Sequence, residues 1–425
     1  MTSRRFRRAL IPLVALGLTA AVATPATAGS GTIPGTAGAI TITGVAEPAR
    51  PAFYEPPASI PGTAGTIIRT EPATQFLDPL GLSSVTVSAT RVMYASKDRL
   101  RRSIAVVGTI FEPKTPWLGL SARPLISFAP GTMGIADKCA PSRQLAEGLT
   151  MYEHYFLQGL LARGYAVALT DYQGLGTPGT HTYMNRVVQG QAVIDVARAA
   201  LRRSGTTLKG TSPIGFYGYS QGGGGAASAA ELSSTYAPEL RVKGTVAGAV
   251  PADLGAVGKS LDGGLYAEFL NFALLGLSSG YGLDMSTYLN DAGMQVARKT
   301  EGHCVLDLPA AAFQDSSTLT KNGQPLSAYL TEEPFTSILA ENRIGKIKPS
   351  APVLVSQSLL DDVVPYAVGK QLAKDWCAKG ANVRFSTNVG PTHIGGALPS
   401  SAESYAFFEA RFAGLAQMNG CWAIW

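Results

Sequence analysis

The chain has 425 residues, 46% hydrophobic and 15% charged, a composition that can bury a large core and excludes a disordered chain. Its formal net charge of +6 falls to +2 once Arg4, Arg5, Arg7 and Arg8 are set aside, and no Lys/Arg cluster is interleaved with aromatics. Nucleic-acid binding is therefore unsupported.

Those four arginines precede an apolar stretch, Ala9 to Ala23, and an A-x-A site at Ala26-Thr27-Ala28. Residues 1–28 read as a secretory signal cleaved before Gly29. The apolar stretch is too short for a good membrane span, and no later run reaches about 18 apolar residues. Residues 29–80 form a Pro/Gly-rich N-terminal segment in which Ile33-Pro34-Gly35-Thr36-Ala37-Gly38 recurs as Ile60-Pro61-Gly62-Thr63-Ala64-Gly65. Two copies are too few for a solenoid.

Strand patterns follow. Val85 to Tyr94 and Ile104 to Phe111 read as an edge hairpin around Lys97-Asp98-Arg99, and Pro124 to Phe128 as a short buried strand. Leu149 to Arg163 has helical spacing stopped by Gly164, Tyr165 to Thr170 is a strand, and Gln189 to Arg203 is a helix. Ile214 to Tyr217, Val242 to Ala249, Pro352 to Gln357 and Val383 to Thr387 complete eight strands, with a helix from Ala367 to Lys379 before the last. Strands alternating with helices predict an α/β fold, an eight-stranded mostly parallel sheet with helices on both faces. Residues 81–252 and 349–425 make its core. Residues 253–348, with helical patterns at Leu265 to Leu277 and Met285 to Arg298, interrupt it after the sixth strand as a helical cap. Such an insertion lies over the strand ends where sites of open α/β sheets form.

The fifth strand runs into Gly218-Tyr219-Ser220-Gln221-Gly222 and then small residues that start a helix. Strand, sharp turn and helix hold one serine hydroxyl at the tip, which is the nucleophile elbow of α/β-hydrolases. A second G-x-S-x-G, at Gly276 to Gly280, follows a helical pattern and lacks the strand. Serine is a poor nucleophile unless a base takes its proton and a carboxylate orients that base, and in this fold the acid and then the His come later in the chain. Four histidines are present. His154 lies in a helix, His181 precedes the serine, and His303 sits in the cap beside Cys304. His393, in Gly390-Pro391-Thr392-His393-Ile394-Gly395-Gly396, follows the last strand and is the expected base. Asp361 and Asp362 follow the seventh strand, and Asp361 is the preferred acid, with Asp362 as a surface carboxylate or helix cap. The oxyanion needs donors. One is the Gln221 N–H. For the second, the general pattern points to residues 130–134, with 171–174 as a competing site.

Cys139, Cys304, Cys377 and Cys421 give an even number in an exported chain, which suggests two disulfides with three possible connectivities. No C-x-x-C or His-rich spacing points to a metal, and no cofactor is expected.

Several stretches together resemble the secretory lipase family, the fungal lipase A type with actinobacterial relatives: Phe53-Tyr54-Glu55-Pro56-Pro57, Lys138-Cys139-Ala140-Pro141-Ser142, Thr170-Asp171-Tyr172-Gln173-Gly174, the Ser220 turn, Asp361-Asp362-Val363-Val364-Pro365 and Pro391-Thr392-His393. The resemblance implies a secreted carboxylic-ester hydrolase acting on triacylglycerols or related esters through Ser220, Asp361 and His393, with Asp171 and Gln221 at the oxyanion. It also implies the disulfides Cys139–Cys304 and Cys377–Cys421. An acyltransferase, or an esterase for short-chain or polyester substrates, would use the same triad. The implied partner is a lipid or small ester at a lipid–water interface. The bulk of the apolar cap residues Leu265, Phe269, Leu270, Phe272, Leu274, Leu275 and Leu277 are expected to pack the cap, and a minority to line an acyl pocket.

Overall fold

Among the described residues nine strands form one sheet in the order β1-β2-β3-β5-β4-β6-β7-β8-β9. In this computed structural model they are β1 (Ile67–Pro72), β2 (Val87–Lys97), β3 (Ser103–Pro113), β4 (Leu125–Ala129), β5 (Ala166–Thr170), β6 (Ile214–Tyr219), β7 (Val242–Gly248), β8 (Val353–Ser358) and β9 (Val383–Asn388). The structure describes residues 50–74, 83–147 and 151–424. They fall in a unit spanning residues 48–425. The expected signal peptide at 1–28 and the first copy of the repeat lie outside the described residues.

From β5 to β9 all neighbours are parallel, while β1, β2 and β3 run antiparallel at one edge. Every residue of β4, β5, β6 and β8 is buried, as expected of strands covered on both faces. Alternate side chains serve the two layers. Ile126 and Phe128 of β4 pack with Phe156, Leu160 and Phe408, from the helices His154–Ala162 and Thr392–Phe412. Leu125 and Ala129 pack with Ala192, Val196 and Ala226, from the helices Arg186–Arg202 and Gln221–Tyr236.

The eight expected strands are all present, and the ninth is β1. It lies inside residues 29–80, which the sequence reading left without structure. The strand is short, its residues are half-buried or exposed, and it pairs on one side only with β2. An edge strand carries little apolar alternation, so Gly and Pro dominated its reading. The helix expected to begin at Leu149 begins at His154, after residues 148–150, which lie outside those described.

The insertion between β7 and β8 is helical, with helices Leu254–Leu261, Ala267–Tyr281, Asp291–Thr300 and Phe335–Asn342. Ala267–Tyr281 ends at Gly282, whose φ of 69° is the left-handed conformation that stops a helix. The chain's return to the core is fixed at Glu231, fully buried in the helix after β6. Its carboxylate accepts from Arg186 at 2.6 Å, from Trp376 Nε1 at 2.9 Å and from Gly345 N–H at 2.8 Å. A carboxylate this deep is tolerable because its oxygens are shared among so many donors.

The cysteines pair as Cys139–Cys304, joining the core to the cap, and Cys377–Cys421, joining the chain's end to the helix Tyr366–Ala378. The first spans a sequence separation of 165, and loop closure of that length is worth about 5 kcal/mol in the chain-entropy account. Among the described residues no helix is long and apolar enough to cross a membrane.

Candidate active site

Ser220 stands between β6 and the helix Gln221–Tyr236 with φ 60° and ψ −124°, a conformation an L-residue adopts only when its surroundings impose it. They do. The Ser220 N–H donates to Gly248 O of β7 at 3.0 Å, and Gly224 N–H donates to Ser220 O at 3.0 Å. A Cβ on Gly218 would lie 2.1 Å from Gly222 O, and one on Gly222 would lie 2.1 Å from Ala129 O. Strand, helix and the end of β4 thus approach too closely for any side chain. The Ser220 hydroxyl does not cap the helix, so it is not committed to holding the turn.

The sheet register brings the other groups to the same edge. Gly248 pairs with Ser356 and Ser358 with Asn388, so β8 and β9 end beside the elbow. Asp361 follows β8. Its side chain is fully buried, and both oxygens lie 2.9 Å from His393 Nδ1. The carboxylate is aimed by Val363 N–H at 3.0 Å, Val364 N–H at 2.8 Å and the Gln357 amide at 3.0 Å. Asp362 does something else: it accepts the His393 backbone N–H at 2.8 Å, at the start of the helix Thr392–Phe412, and Tyr266 OH from the cap at 3.2 Å. An imidazole held this way carries its proton on Nδ1 and leaves Nε2 as a base. Among the described residues no hydrogen bond joins Ser220 Oγ to His393. They are linked through Tyr219, whose hydroxyl donates to His393 O at 2.7 Å and whose ring lies 5.2 Å from the imidazole. Catalytic contacts commonly tighten only around substrate.

Asp171 is not placed for the oxyanion role, which is a correction. Its backbone N–H donates to Val107 O at 2.8 Å, continuing the β3–β5 ladder. Its carboxyl oxygens take the Ser142 N–H at 2.9 Å and the Ser142 hydroxyl. Ser142 in turn meets Tyr54 OH at 2.7 Å. Asp171 is completely buried in that cluster, with its backbone N–H and both carboxyl oxygens already engaged. The loop after β4, residues 130–134, lies against the elbow instead, since Ala129 pairs with Gly218.

Gln221 is held by a residue the sequence reading passed over. Its amide donates to His181 Nε2 at 3.0 Å, while His181 Nδ1–H donates to Gln173 O at 2.8 Å. Burial pushes the His181 pKa down to about 4, so the ring stays neutral and can accept. Glu153, also passed over, receives the Gly131 N–H at 2.7 Å. Only tertiary packing brings these pairs together, and no local pattern marks them. His154 caps its own turn through Met151 O at 2.9 Å, and His303 pairs with Glu268 at 2.6 Å. The second G-x-S-x-G lies inside the helix Ala267–Tyr281, where Ser278 is buried and bonded to Met285 Sδ at 2.6 Å.

A pocket enclosing about 990 Å³, its open mouth included, is lined by Ser220 and by cap residues. Phe269, Leu270, Leu274 and Leu277 line it, with Phe335 and Ile338 from another cap helix. The bulk of the seven cap residues do pack, with Phe269, Leu270, Phe272 and Leu275 in one buried cluster and Leu274 against it, but four of the seven rather than a minority also face the pocket, and Leu265 is exposed.

Burial raises the carboxyl pKa of Glu153 from 4.5 to about 8 and that of Asp171 from 3.8 to about 7. Above pH 6.5 the folded chain still holds protons that the unfolded chain has released. Stability from a raised carboxyl pKa is therefore lost as pH rises towards the folded value. His181 acts in the opposite sense, but only below its unfolded value of 6.5. Unfolding free energy is expected to fall by on the order of 2 kcal/mol from pH 6.5 to 8. Denaturant melts at those two pH values check this, and stability that rises over the interval would contradict it.

The comparisons with known proteins agree with this architecture. A family model described as secretory lipase matches residues 141–420. The probable inactive lipase MT1628 of Mycobacterium tuberculosis is 29% identical over 382 residues, covering 86% of this chain and 83% of that protein. The secreted triacylglycerol lipase LIP2 of Malassezia globosa is 27% identical over 395 residues, covering 88% and 84%. The closed state of lipase A from Candida antarctica superposes with a TM-score of 0.76 over 87% of each chain at 23% identity, a likeness of fold. The family match supports a hydrolase of the lipase type, and the structural likeness is one of fold. With an α/β-hydrolase sheet, a helical cap and a match over most of its length, the chain belongs to the secretory lipase family.

Proposed function

We propose that this chain is an exported serine carboxylic-ester hydrolase that cleaves esters of apolar acyl chains, triacylglycerols among them, through an acyl-enzyme on Ser220. The observation that carries the reading is the Asp361 carboxylate on His393 Nδ1 at 2.9 Å, together with a serine that lines an apolar pocket. His393 Nε2 takes the Ser220 proton as Oγ attacks the ester carbonyl, and Asp361 stabilises the imidazolium. The tetrahedral oxyanion is met by the Gln221 N–H and by a backbone N–H of Thr132 or Met133, in the loop that abuts the elbow. Gly131 N–H is already used by Glu153, which leaves the next two amides of that loop as the candidates. Collapse passes the proton from His393 to the leaving alcohol. Water, activated by the same base, then attacks the acyl-enzyme, releases the acid and restores Ser220.

The pocket lining supports an acyl chain as the group bound. Leu359, Leu360, Val389, Ile394 and Leu398 are exposed and flank Asp361 and His393 in the chain, which supports work at a lipid–water surface. Two disulfides, and the word secreted in the name of the Malassezia relative, support export.

A series of p-nitrophenyl esters tests the substrate class. Each methylene buried in the pocket is worth about 0.8 kcal/mol, so kcat/KM is expected to be at least about tenfold higher for octanoyl than for acetyl ester. Activity confined to acetyl and butyryl esters would reduce the reading to a short-chain esterase.

A further inference from the structure

Residues 130–135 are tied down almost one by one. Pro130 O accepts Tyr172 OH at 3.0 Å, Thr132 Oγ1 meets Tyr183 OH at 2.7 Å, Met133 O accepts Val305 N–H at 2.8 Å, and Ile135 N–H donates to His303 O at 3.0 Å. Gly131 has a different kind of anchor. Its N–H donates to Glu153 Oε2 at 2.7 Å, and Glu153 is only 1% exposed. The other oxygen, Oε1, is buried and has no hydrogen-bond partner among the described residues. A Cβ on Gly131 would lie 2.2 Å from Tyr152 Oη, so only glycine fits against that phenol.

We infer that Glu153, through its buried bond to the Gly131 N–H, is the positioning residue that sets the loop of Gly131, Thr132 and Met133 for oxyanion binding. This rests on the reading of Ser220 and that loop proposed above. As a neutral acid Glu153 accepts the Gly131 N–H and adds no charge near the site. As a carboxylate it would place an uncompensated negative charge, buried, behind the loop meant to stabilise another negative charge. Among the described residues, the titratable side chains whose titration Glu153 affects are Tyr152, Tyr172 and Tyr217, and burial holds all three phenols well above their ordinary value, so none of them carries a charge that could offset it. Burial also raises the Glu153 carboxyl itself to about 8, with only the Gly131 N–H opposing. Ionisation just above neutral pH would therefore switch the site from matched to opposed.

The test is the pH dependence of kcat for a soluble p-nitrophenyl ester in wild type, Glu153→Gln and Glu153→Ala, with KM and the thermal midpoint measured alongside. Wild-type kcat is expected to fall about tenfold per pH unit above an apparent value near 8, with KM little changed. Glu153→Gln keeps the acceptor and cannot ionise, so its kcat is expected to stay level from pH 7 to 9.5. Glu153→Ala frees the loop, and its kcat at pH 7 is expected to lie about tenfold or more below that of Glu153→Gln. An alkaline limb that persists in Glu153→Gln would overturn the inference while turnover still depends on Ser220. Turnover that survives Ser220→Ala would remove the underlying reading instead. Should neither Glu153 variant fold, a wild-type kcat that stays level through pH 9.5 overturns the inference and a fall near 8 supports it.

Discussion

Ser220→Ala is expected to lower kcat/KM on a p-nitrophenyl ester by about ten-thousandfold or more, because nothing else at the elbow can form the acyl intermediate. The fold should be little affected. The Ser220 backbone bonds to Gly248 and Gly224 remain, and the hydroxyl that is removed caps no helix. The unusual φ of 60° persists with alanine, so the strain is carried equally by both proteins. Kinetics and a thermal melt of the same preparation separate the two effects. Loss of activity with an unchanged midpoint is the expected outcome; activity within tenfold of wild type would remove Ser220 from the chemistry.

Asp361→Asn and Asp362→Asn are expected to differ sharply. In the first, the carbonyl oxygen of asparagine can still accept from Val363 and Val364, whose N–H groups lie 3.0 and 2.8 Å from Asp361 Oδ1. Its amide nitrogen then faces His393 Nδ1 and favours the wrong tautomer. A fall in kcat of about ten-thousandfold follows from that change alone. In Asp362→Asn the side-chain oxygen can still accept the His393 N–H, now 2.8 Å away, so a loss of less than about tenfold is expected. The opposite ranking in kcat would exchange the roles of the two aspartates.

How much of this was legible depends on where each residue lies. β4, β5 and β6 are short buried runs bounded by turns, and β7, β8 and β9 alternate with helical patterns, which is why they read correctly; Ser220, Asp361 and His393 became candidates because each follows one of these strands. β1 escaped because a half-exposed edge strand gives no clear pattern. Asp171 misled for a different reason. The stretches Phe53 to Pro57, Lys138 to Ser142 and Thr170 to Gly174 are distinctive together because Tyr54, Ser142 and Asp171 meet in one buried hydrogen-bonded cluster. Their shared signal is structural, and the sequence offers no way to tell such a cluster from a catalytic one. Glu153 and His181 act through Gly131 and Gln221, partners that only the folded chain supplies. The cap helix Ala267–Tyr281 is apolar nearly all round, so sequence could not say which of its residues would line the pocket and which would pack.

Covalent labelling addresses the acyl-enzyme at Ser220 most directly. The protein is incubated with diethyl p-nitrophenyl phosphate, whose phosphorus is attacked by an activated serine, and is then digested and examined by mass spectrometry. One diethylphosphoryl group on the peptide containing Ser220, formed in step with loss of esterase activity and absent from both Ser220→Ala and His393→Ala, is the expected result. Esterase activity that persists with Ser220 fully labelled, or inactivation with the label on another residue, would contradict the mechanism.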